Sequence, residues 1–113
     1  MLQKAQEYVL GNKFLQKALD DYEILYGHAH PMTINTVETL VRGLYLLQDY
    51  RQAMKLQKRV LKFYENDHGL EDDRTKEAQL VLSTLTERAV AKAKADKLSK
   101  IKPESKEAQE IAL

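Results

Sequence analysis

The amino-acid sequence predicts an all-α fold, a helical hairpin solenoid of about four helices followed by a flexible tail. Three observations predict this fold class. The chain of 113 residues matches itself without a gap when it is shifted by 42 positions. Apolar residues recur at three- and four-residue steps, the spacing of an amphipathic helix. Only 4 Gly and 2 Pro are present, which favours long helices with short connections.

The shifted register pairs residues of the kinds that shape helices and turns. Tyr8 falls on Tyr50, Tyr22 on Tyr64, Gly27 on Gly69, Thr33 on Thr75 and Leu40 on Leu82. A period of this length indicates helical hairpins that bury their apolar faces by stacking on one another. Such an array offers a curved surface, so the first expectation is a binding module.

The composition excludes several function classes. With 43% apolar and 31% charged residues, the chain suits a globular helical protein, and its formal charge of +1 gives no overall attraction to nucleic acid. No cysteine is present, which excludes a disulfide framework and a thiolate zinc site. The longest apolar run, residues 44–47, is too short to span a bilayer, and the N-terminus lacks a signal-peptide pattern. We therefore expect a cytoplasmic protein without membrane insertion.

The first helix is predicted between two turns at Gly11 and Gly27. Its apolar stripe is formed by Phe14, Leu15, Ala18, Tyr22 and Leu25. Residues 1–6 would then supply only about a turn and a half of the helix that should precede it. The alternative is one continuous helix over residues 1–26, because a glycine inside a helix costs only about 1 kcal/mol.

The two middle helices form a hairpin around a tight turn at Asp49-Tyr50. The second helix opens at Pro31, where a missing amide donor costs nothing. Its stripe is Val37, Leu40, Val41 and Leu44, and the stripe of the third helix is Ala53, Leu56, Val60 and Tyr64. Gly69 ends the third helix as Gly27 ends the first.

The fourth helix begins with two carboxylates and loses its apolar stripe toward the C-terminus. Asp72 and Asp73 suit a helix start, where a side chain can cap free amides. Leu82, Leu85 and Ala89 carry the stripe, which fades after Ala91 into a lysine- and alanine-rich segment. We therefore divide the chain into a repeat domain over residues 1–98 and a polar C-terminal tail over residues 99–113.

Two features of the middle hairpin resemble the tetratricopeptide repeat. Tyr50 lies three residues before the small Ala53, and Gly27 opens a Gly-x-x-His-Pro connector. The 42-residue period is similar to that of the long-linker subtype typified by kinesin light chains. The resemblance implies that Ala53 lies where the two helices of the hairpin touch, and a small side chain there lets the axes approach closely.

A closer resemblance begins at Asp49. The run Asp49-Tyr50-Arg51, the start Arg74-Thr75-Lys76-Glu77-Ala78 and the end Leu85-Thr86-Glu87-Arg88-Ala89-Val90-Ala91 are similar to the last repeat of the clustered mitochondria protein family. The resemblance covers residues 49–91 most specifically. It implies a segment related to long cytosolic proteins that are associated with mitochondrial distribution and with binding messenger RNAs for mitochondrial proteins.

Neither a metal site nor a catalytic site is expected. His28, His30 and His68 fall in or beside equivalent connectors, without the fourth ligand that zinc would want. The paired carboxylates belong to predicted solvated surfaces, and catalytic pairs need a partly desolvated cleft. No Gly-rich phosphate loop is present. We expect a protein that is not an enzyme and that uses no cofactor.

A basic stripe follows the third helix. It consists of Arg51, Lys55, Lys58, Arg59 and Lys62. Together with the lysine-rich residues 92–106, this stripe defines an alternative function, a module that binds RNA weakly. The simpler interpretation is a solvated convex face, because no aromatic residues interleave for bases to stack on.

The concave surface is the stronger binding candidate. The resemblance to tetratricopeptide repeats implies that the first helix of each hairpin lines a groove. Its candidate residues are Asn35, Glu38, Thr39, Arg42, Tyr45, Glu77, Thr84 and Arg88, with Val81 among them. The sequence thus predicts a protein-protein interaction scaffold that binds a protein or peptide partner. We also expect self-association as a homodimer through the N-terminal end, where Phe14 and Leu15 would lack a covering helix.

Overall fold

The computed structural model describes the backbone of residues 4–112 and the side chains of residues 4–98. Four helices follow one another: α1 (Lys4–Tyr26), α2 (Pro31–Leu46), α3 (Tyr50–His68) and α4 (Asp73–Ala112). Each helix packs against the next one in the chain. No strand occurs in the described residues, which confirms the prediction of an all-α fold.

The connectors at residues 27–30 and 69–72 are built in the same way. Gly27 and Gly69 end their helices at φ values of 86° and 87°, which favour glycine. The Thr33 hydroxyl donates to the Gly27 carbonyl at 2.8 Å, and the Thr75 hydroxyl donates to the Gly69 carbonyl at 2.6 Å. Both threonines are buried. The 42-residue register is therefore repeated in the hydrogen bonds as well as in the sequence.

The following helix starts are also equivalent, although their capping side chains differ. The Met32 amide donates to Nδ1 of His30 at 3.1 Å. The Arg74 amide donates to Oδ1 of Asp72 at 2.8 Å. The predicted capping role of Asp72 is thus observed. His30 performs the same role one repeat earlier, and it also stacks on Tyr26 with ring centroids 4.6 Å apart.

The turn between α2 and α3 uses a different arrangement. Gln48 adopts φ 62°, and the Asp49 amide donates back to the Leu44 carbonyl at 2.9 Å. This pattern ends a helix with a residue in the left-handed region, usually a glycine. Nζ of Lys92 donates to the Gln48 carbonyl at 2.9 Å. That bond ties α4 to the end of α2.

The core follows the predicted stripes of α2, α3 and α4, whereas the stripe predicted for α1 is wrong: Phe14 and Leu25 are exposed, and Leu19 is the buried residue of α1. The buried apolar residues of the core are Leu19, Ile34, Val37, Leu40, Val41, Ala53, Val60, Ala78 and Leu85. Ala53 has 0% exposure, which agrees with its expected place at a helix contact. A second small residue, Gly43, is also buried, and a Cβ there would collide with the side chain of Asn12. Gly43 is thus the point where α1 and α2 approach closely.

Two boundaries differ from those that the sequence predicts. Gly11 lies inside α1 and forms no turn; the alternative of one continuous helix is the arrangement observed, with residues 1–3 outside the described part. Because Gly11 has neighbours on both sides that favour helix, its cost of about 1 kcal/mol is too small to break α1. The second difference is that α4 continues past Ser99 to Ala112, across the boundary at which the flexible tail was predicted to begin.

Candidate functional site

A cleft lies between α2 and α4 on the face where the sequence places the binding surface. Its larger, apolar part has a volume of about 500 Å³. Its lining residues are Val41, Arg42, Tyr45, Leu46, Glu77, Leu80, Val81, Thr84 and Leu85. Leu46 and Leu80 are exposed on its rim, Leu80 at 66%. Such a surface can take up an apolar side chain from a ligand.

The cleft continues into a smaller, polar part of about 200 Å³. Val41, Arg42, Glu77 and Val81 line both parts. Glu38, Tyr64 and Arg74 line the polar part and not the apolar part. The cleft thus has an apolar end and an end with charges of both signs.

Two hydrogen bonds connect the walls of the polar part to α3. The Tyr64 hydroxyl donates to Oε1 of Glu38 at 3.0 Å. The buried Gln57 donates from Nε2 to the Ala78 carbonyl at 3.0 Å. Because α3 is bonded to α2 by Tyr64 and to α4 by Gln57, it holds the two walls at a set distance.

The environment of Tyr64 changes its acidity. Burial raises the pKa of the Tyr64 hydroxyl above its ordinary value of 10.0, and the hydrogen bond to Glu38 and the charge of that carboxylate raise it further. The protonated phenol is therefore favoured in the folded protein, in the form that donates to Glu38.

The structure brings together five of the eight concave-face candidates. Glu38, Arg42, Tyr45, Glu77 and Thr84 line the cleft. Val81 lines the cleft together with them. Asn35 lines a neighbouring hollow beside Phe63 and His68, which shares Glu38, Tyr64 and Arg74 with the polar part of the cleft. Thr39 and Arg88 are exposed but do not line either part of the cleft.

Sequence reasoning missed the apolar lining at Leu46 and Leu80 and the polar contributions of Tyr64 and Arg74. One signal was available for Leu80: residues 80–82 are all apolar, and a single helical stripe cannot bury three consecutive residues. Leu46 carries the same signal, because residues 44–47 are all apolar, whereas Arg74 carries none. Their places depend on how α2 and α4 are spaced by α3.

The basic stripe is divided by an ion pair between α1 and α3. Nη2 of Arg59 lies 2.7 Å from Oε1 of Glu23 and 3.4 Å from Nδ1 of His28. Arg51, Lys55, Lys58 and Lys62 remain exposed. Arg59 thus contributes to a contact between helices, and four of the five predicted cations face solvent.

The histidines lie at helix ends, as expected. His30 caps α2, His68 stacks on Tyr64 with ring centroids 5.6 Å apart, and His28 lies beside Glu23. Among the residues whose positions are described, no group of three or more His, Cys, Asp or Glu side chains could hold a metal ion. In the same part of the chain, no helix is both long and apolar enough to cross a membrane.

With this geometry established, the chain can be compared with known proteins. It is 32% identical over 94 residues to a protein named "Clustered mitochondria protein homolog" from Emericella nidulans, and the match covers 83% of this chain and 8% of the relative. A protein of the same name from Ajellomyces capsulatus is 32% identical, and the match covers 83% of this chain and 8% of the relative. Another from Coccidioides immitis is 33% identical, and the match covers 83% of this chain and 7% of the relative. The relationship is distant. The chain spans less than a tenth of the length of these relatives.

The matched region extends over most of the four helices, beyond the residues 49–91 that carry the sequence resemblance most specifically. No family model matches the chain. No solved structure matches it either. The resemblance to the clustered mitochondria family is thus supported at the level of distant homology.

Proposed function

We propose that this chain is a non-enzymatic, tetratricopeptide-like interaction segment of a cytoplasmic, clustered-mitochondria-like protein. Its cleft between α2 and α4 would bind a protein partner through one apolar anchor side chain. The observation that carries the proposal is the apolar part of the cleft, about 500 Å³ in volume. Clefts of this kind bind ligands through apolar contacts, with a few polar groups that set orientation.

The charged residues that line the cleft indicate which class of partner it would bind. Arg42 and Glu77 line both parts, and Arg74 and Glu38 stand at the polar end. A peptide with polar residues of both signs next to its apolar anchor would match this lining better than a polyanion. We therefore favour a peptide segment over RNA as the occupant. Since the relatives are named after clustered mitochondria, we propose that the segment itself has a role in mitochondrial distribution.

The test is a binding experiment with matched variants of the full chain. Proteins captured from a fungal extract by the wild-type chain are identified, and the captured segment is synthesised as a peptide for titration. Leu80→Glu should weaken binding at least about tenfold, equal to about 1.4 kcal/mol, because a carboxylate would be placed on the apolar rim. Lys62→Glu, an equally exposed change on the other side of α3, should leave affinity unchanged. Equal binding by Leu80→Glu and wild type would refute the cleft as the site.

Salt dependence separates the peptide from the RNA alternative. Binding of RNA through several phosphate contacts falls steeply as salt rises, because bound counterions are released. Binding in the apolar cleft should change little between low and physiological salt. A steep salt dependence that Lys62→Glu reduces and Leu80→Glu does not would favour the RNA module.

A further inference from the structure

The face of α1 that turns away from α2 is apolar and uncovered. Phe14 is 74% exposed and Leu25 is 69% exposed. Together with Gly11, Ala18 and Tyr22 these residues form one longitudinal stripe, here called the α1 stripe. At Gly11, an added Cβ would meet no heavy atom within 4 Å. Gly11, Ala18 and Tyr22 are half-buried, so the α1 stripe is most open at Phe14 and Leu25.

The 42-residue register allows the α1 stripe to be compared with the equivalent positions on α3. The positions equivalent to Gly11, Phe14, Ala18 and Tyr22 on α3 are Ala53, Leu56, Val60 and Tyr64. There, Ala53 and Val60 are buried and Leu56 and Tyr64 are half-buried. Tyr64 also donates to Glu38 of α2. The α1 stripe is therefore the equivalent of a covered helix face, and among the residues that the structure describes no helix covers it as fully as on α3.

We propose that a second copy of this chain covers the α1 stripe, with the two α1 helices antiparallel and related by a two-fold axis near Ala18. This alignment places Phe14 of each copy against Tyr22 of the other. Leu25 then lies over the recess at Gly11. The alternation of small and large residues makes the stripe complementary to itself, which a two-fold interface requires.

Charge supports the same alignment. Lys17 and Asp21 are both exposed and border the α1 stripe on the same side. In an antiparallel pair, equivalent flanks face each other, so Lys17 of one copy comes close to Asp21 of the other, twice by symmetry. Exposed pairs of this kind are worth up to about 1 kcal/mol and mainly select the register.

The other helix that this chain could offer fits less well. In a head-to-tail assembly, α4 of one copy would cover α1 of the next, as α2 covers α3. The positions of α4 equivalent to Val37, Val41 and Leu44 are Gln79, Ser83 and Thr86, all exposed. Burial of Gln79 and Ser83 against Phe14 would cost free energy, because Phe14 offers their polar groups no hydrogen-bond partner.

The test measures the mass of the full chain by sedimentation across a concentration series up to about 300 μM, where a weak dimer is populated. We expect a monomer–dimer equilibrium. Phe14→Glu should raise the dimer dissociation constant at least about tenfold. Gly11→Leu should do the same without harming the monomer, since nothing lies near that position. Leu70→Glu, at an exposed leucine on the α3–α4 connector, is the matched control and should leave the constant unchanged.

The charge pair tests the alignment. Lys17→Glu should weaken the dimer, and the double variant Lys17→Glu/Asp21→Lys should restore it. A strict monomer at the highest concentration would overturn the proposal. So would open-ended growth that Ser83→Glu stops, because that result identifies the head-to-tail assembly. A thermal unfolding curve of each variant shows that the monomer is folded.

Discussion

Asn12 and Gly43 set how closely α1 and α2 approach. The amide Nδ2 of Asn12 is buried and finds no hydrogen-bond partner among the residues that the structure describes. Its side chain occupies the space above Gly43 that a Cβ would need. A glycine within a helix is normally a cost, so here the close approach explains its presence. The contact could not be read from the sequence, because Asn12 and Gly43 are far apart in the chain and neither belongs to an apolar stripe.

Gly43→Leu should therefore lower the free energy of unfolding by about 1–2 kcal/mol. Overpacking costs about 1–3 kcal/mol, and the higher helix propensity of leucine returns up to about 1 kcal/mol. Denaturant unfolding measures the difference. Gly11→Ala is the matched control, because open space surrounds Gly11; it should stabilise or have no effect. Equal stability of Gly43→Leu and wild type would show that Asn12 moves aside freely.

The raised pKa of Tyr64 leads us to expect that the folded protein loses stability at alkaline pH. The pKa of Tyr64 is raised in the folded state, mainly by burial and then by Glu38. The resulting stabilisation is fully present below the ordinary tyrosine pKa of about 10 and is lost as pH rises through the folded-state pKa. Unfolding curves between about pH 8 and pH 11 should show a steeper decline for the wild type than for Tyr64→Phe.

Glu38→Gln provides a control for the cause of this shift. It keeps an oxygen that can accept the hydrogen bond but removes the negative charge, so the pKa of Tyr64 should move down toward its ordinary value. Ultraviolet absorbance reports tyrosine ionisation directly. A titration of Tyr64 that is identical in the two proteins would mean that Glu38 does not contribute.

At the scale of the helices, single residues predict most helix boundaries correctly. The prediction fails where several residues with weak conformational preferences act together. The starts at Pro31 and Asp73 and the ends at Gly27 and Gly69 follow from residues with strong conformational preferences. The prediction of a turn at Gly11 is wrong because glycine marks a turn in one context and is a tolerated helix position in another. For the cleft, Glu38, Arg42 and Glu77 could be placed from the helical period. The spacing of α2 and α4, and with it the part played by Leu46, depends on tertiary packing.

The two threonine–glycine hydrogen bonds should contribute equally to stability. Thr33→Val and Thr75→Val each keep the shape of the side chain but leave the Gly27 or Gly69 carbonyl without its donor. Each should lower the free energy of unfolding by about 1–2 kcal/mol. Thr86→Val is the control: the exposed Thr86 donates only to the Leu82 carbonyl of its own helix, at 2.8 Å, so its loss should cost less than about 0.5 kcal/mol. A large loss at one connector alone would show that the two are not equivalent.

At the scale of the whole molecule, the described structure extends over 64 × 41 × 21 Å, and its two ends differ. At one end, α1 presents the apolar stripe. At the other end, α4 exposes all of residues 90–98, where lysine and alanine prevail. The last described hydrogen bond from α4 to another part of the chain is the one from Lys92 to the Gln48 carbonyl. We call residues 4–98 the body; α4 itself continues beyond them to Ala112.

Removal of residues 99–113 should accordingly leave the stability of the body unchanged within about 0.5 kcal/mol. Circular dichroism should show a loss of helical signal in proportion to the residues removed, with the same midpoint of thermal unfolding. Lys92→Ala in the shortened chain should then lower the midpoint, because the Gln48 carbonyl loses its donor. A large drop on truncation alone would show that residues 99–113 support the body.

Because the connectors at residues 27–30 and 69–72 are built in the same way, the hairpin between them could be duplicated. A second copy of residues 28–69, inserted directly after Gly69, would carry its own threonine six positions beyond that glycine, the separation seen in both natural connectors. The copy would end in a glycine of its own, ready for Thr75. The copy of His30, which caps α2, would occupy the position after Gly69 that Asp72 occupies in the present chain. The molecule could thus be lengthened by a whole hairpin without altering any residue at the two junctions.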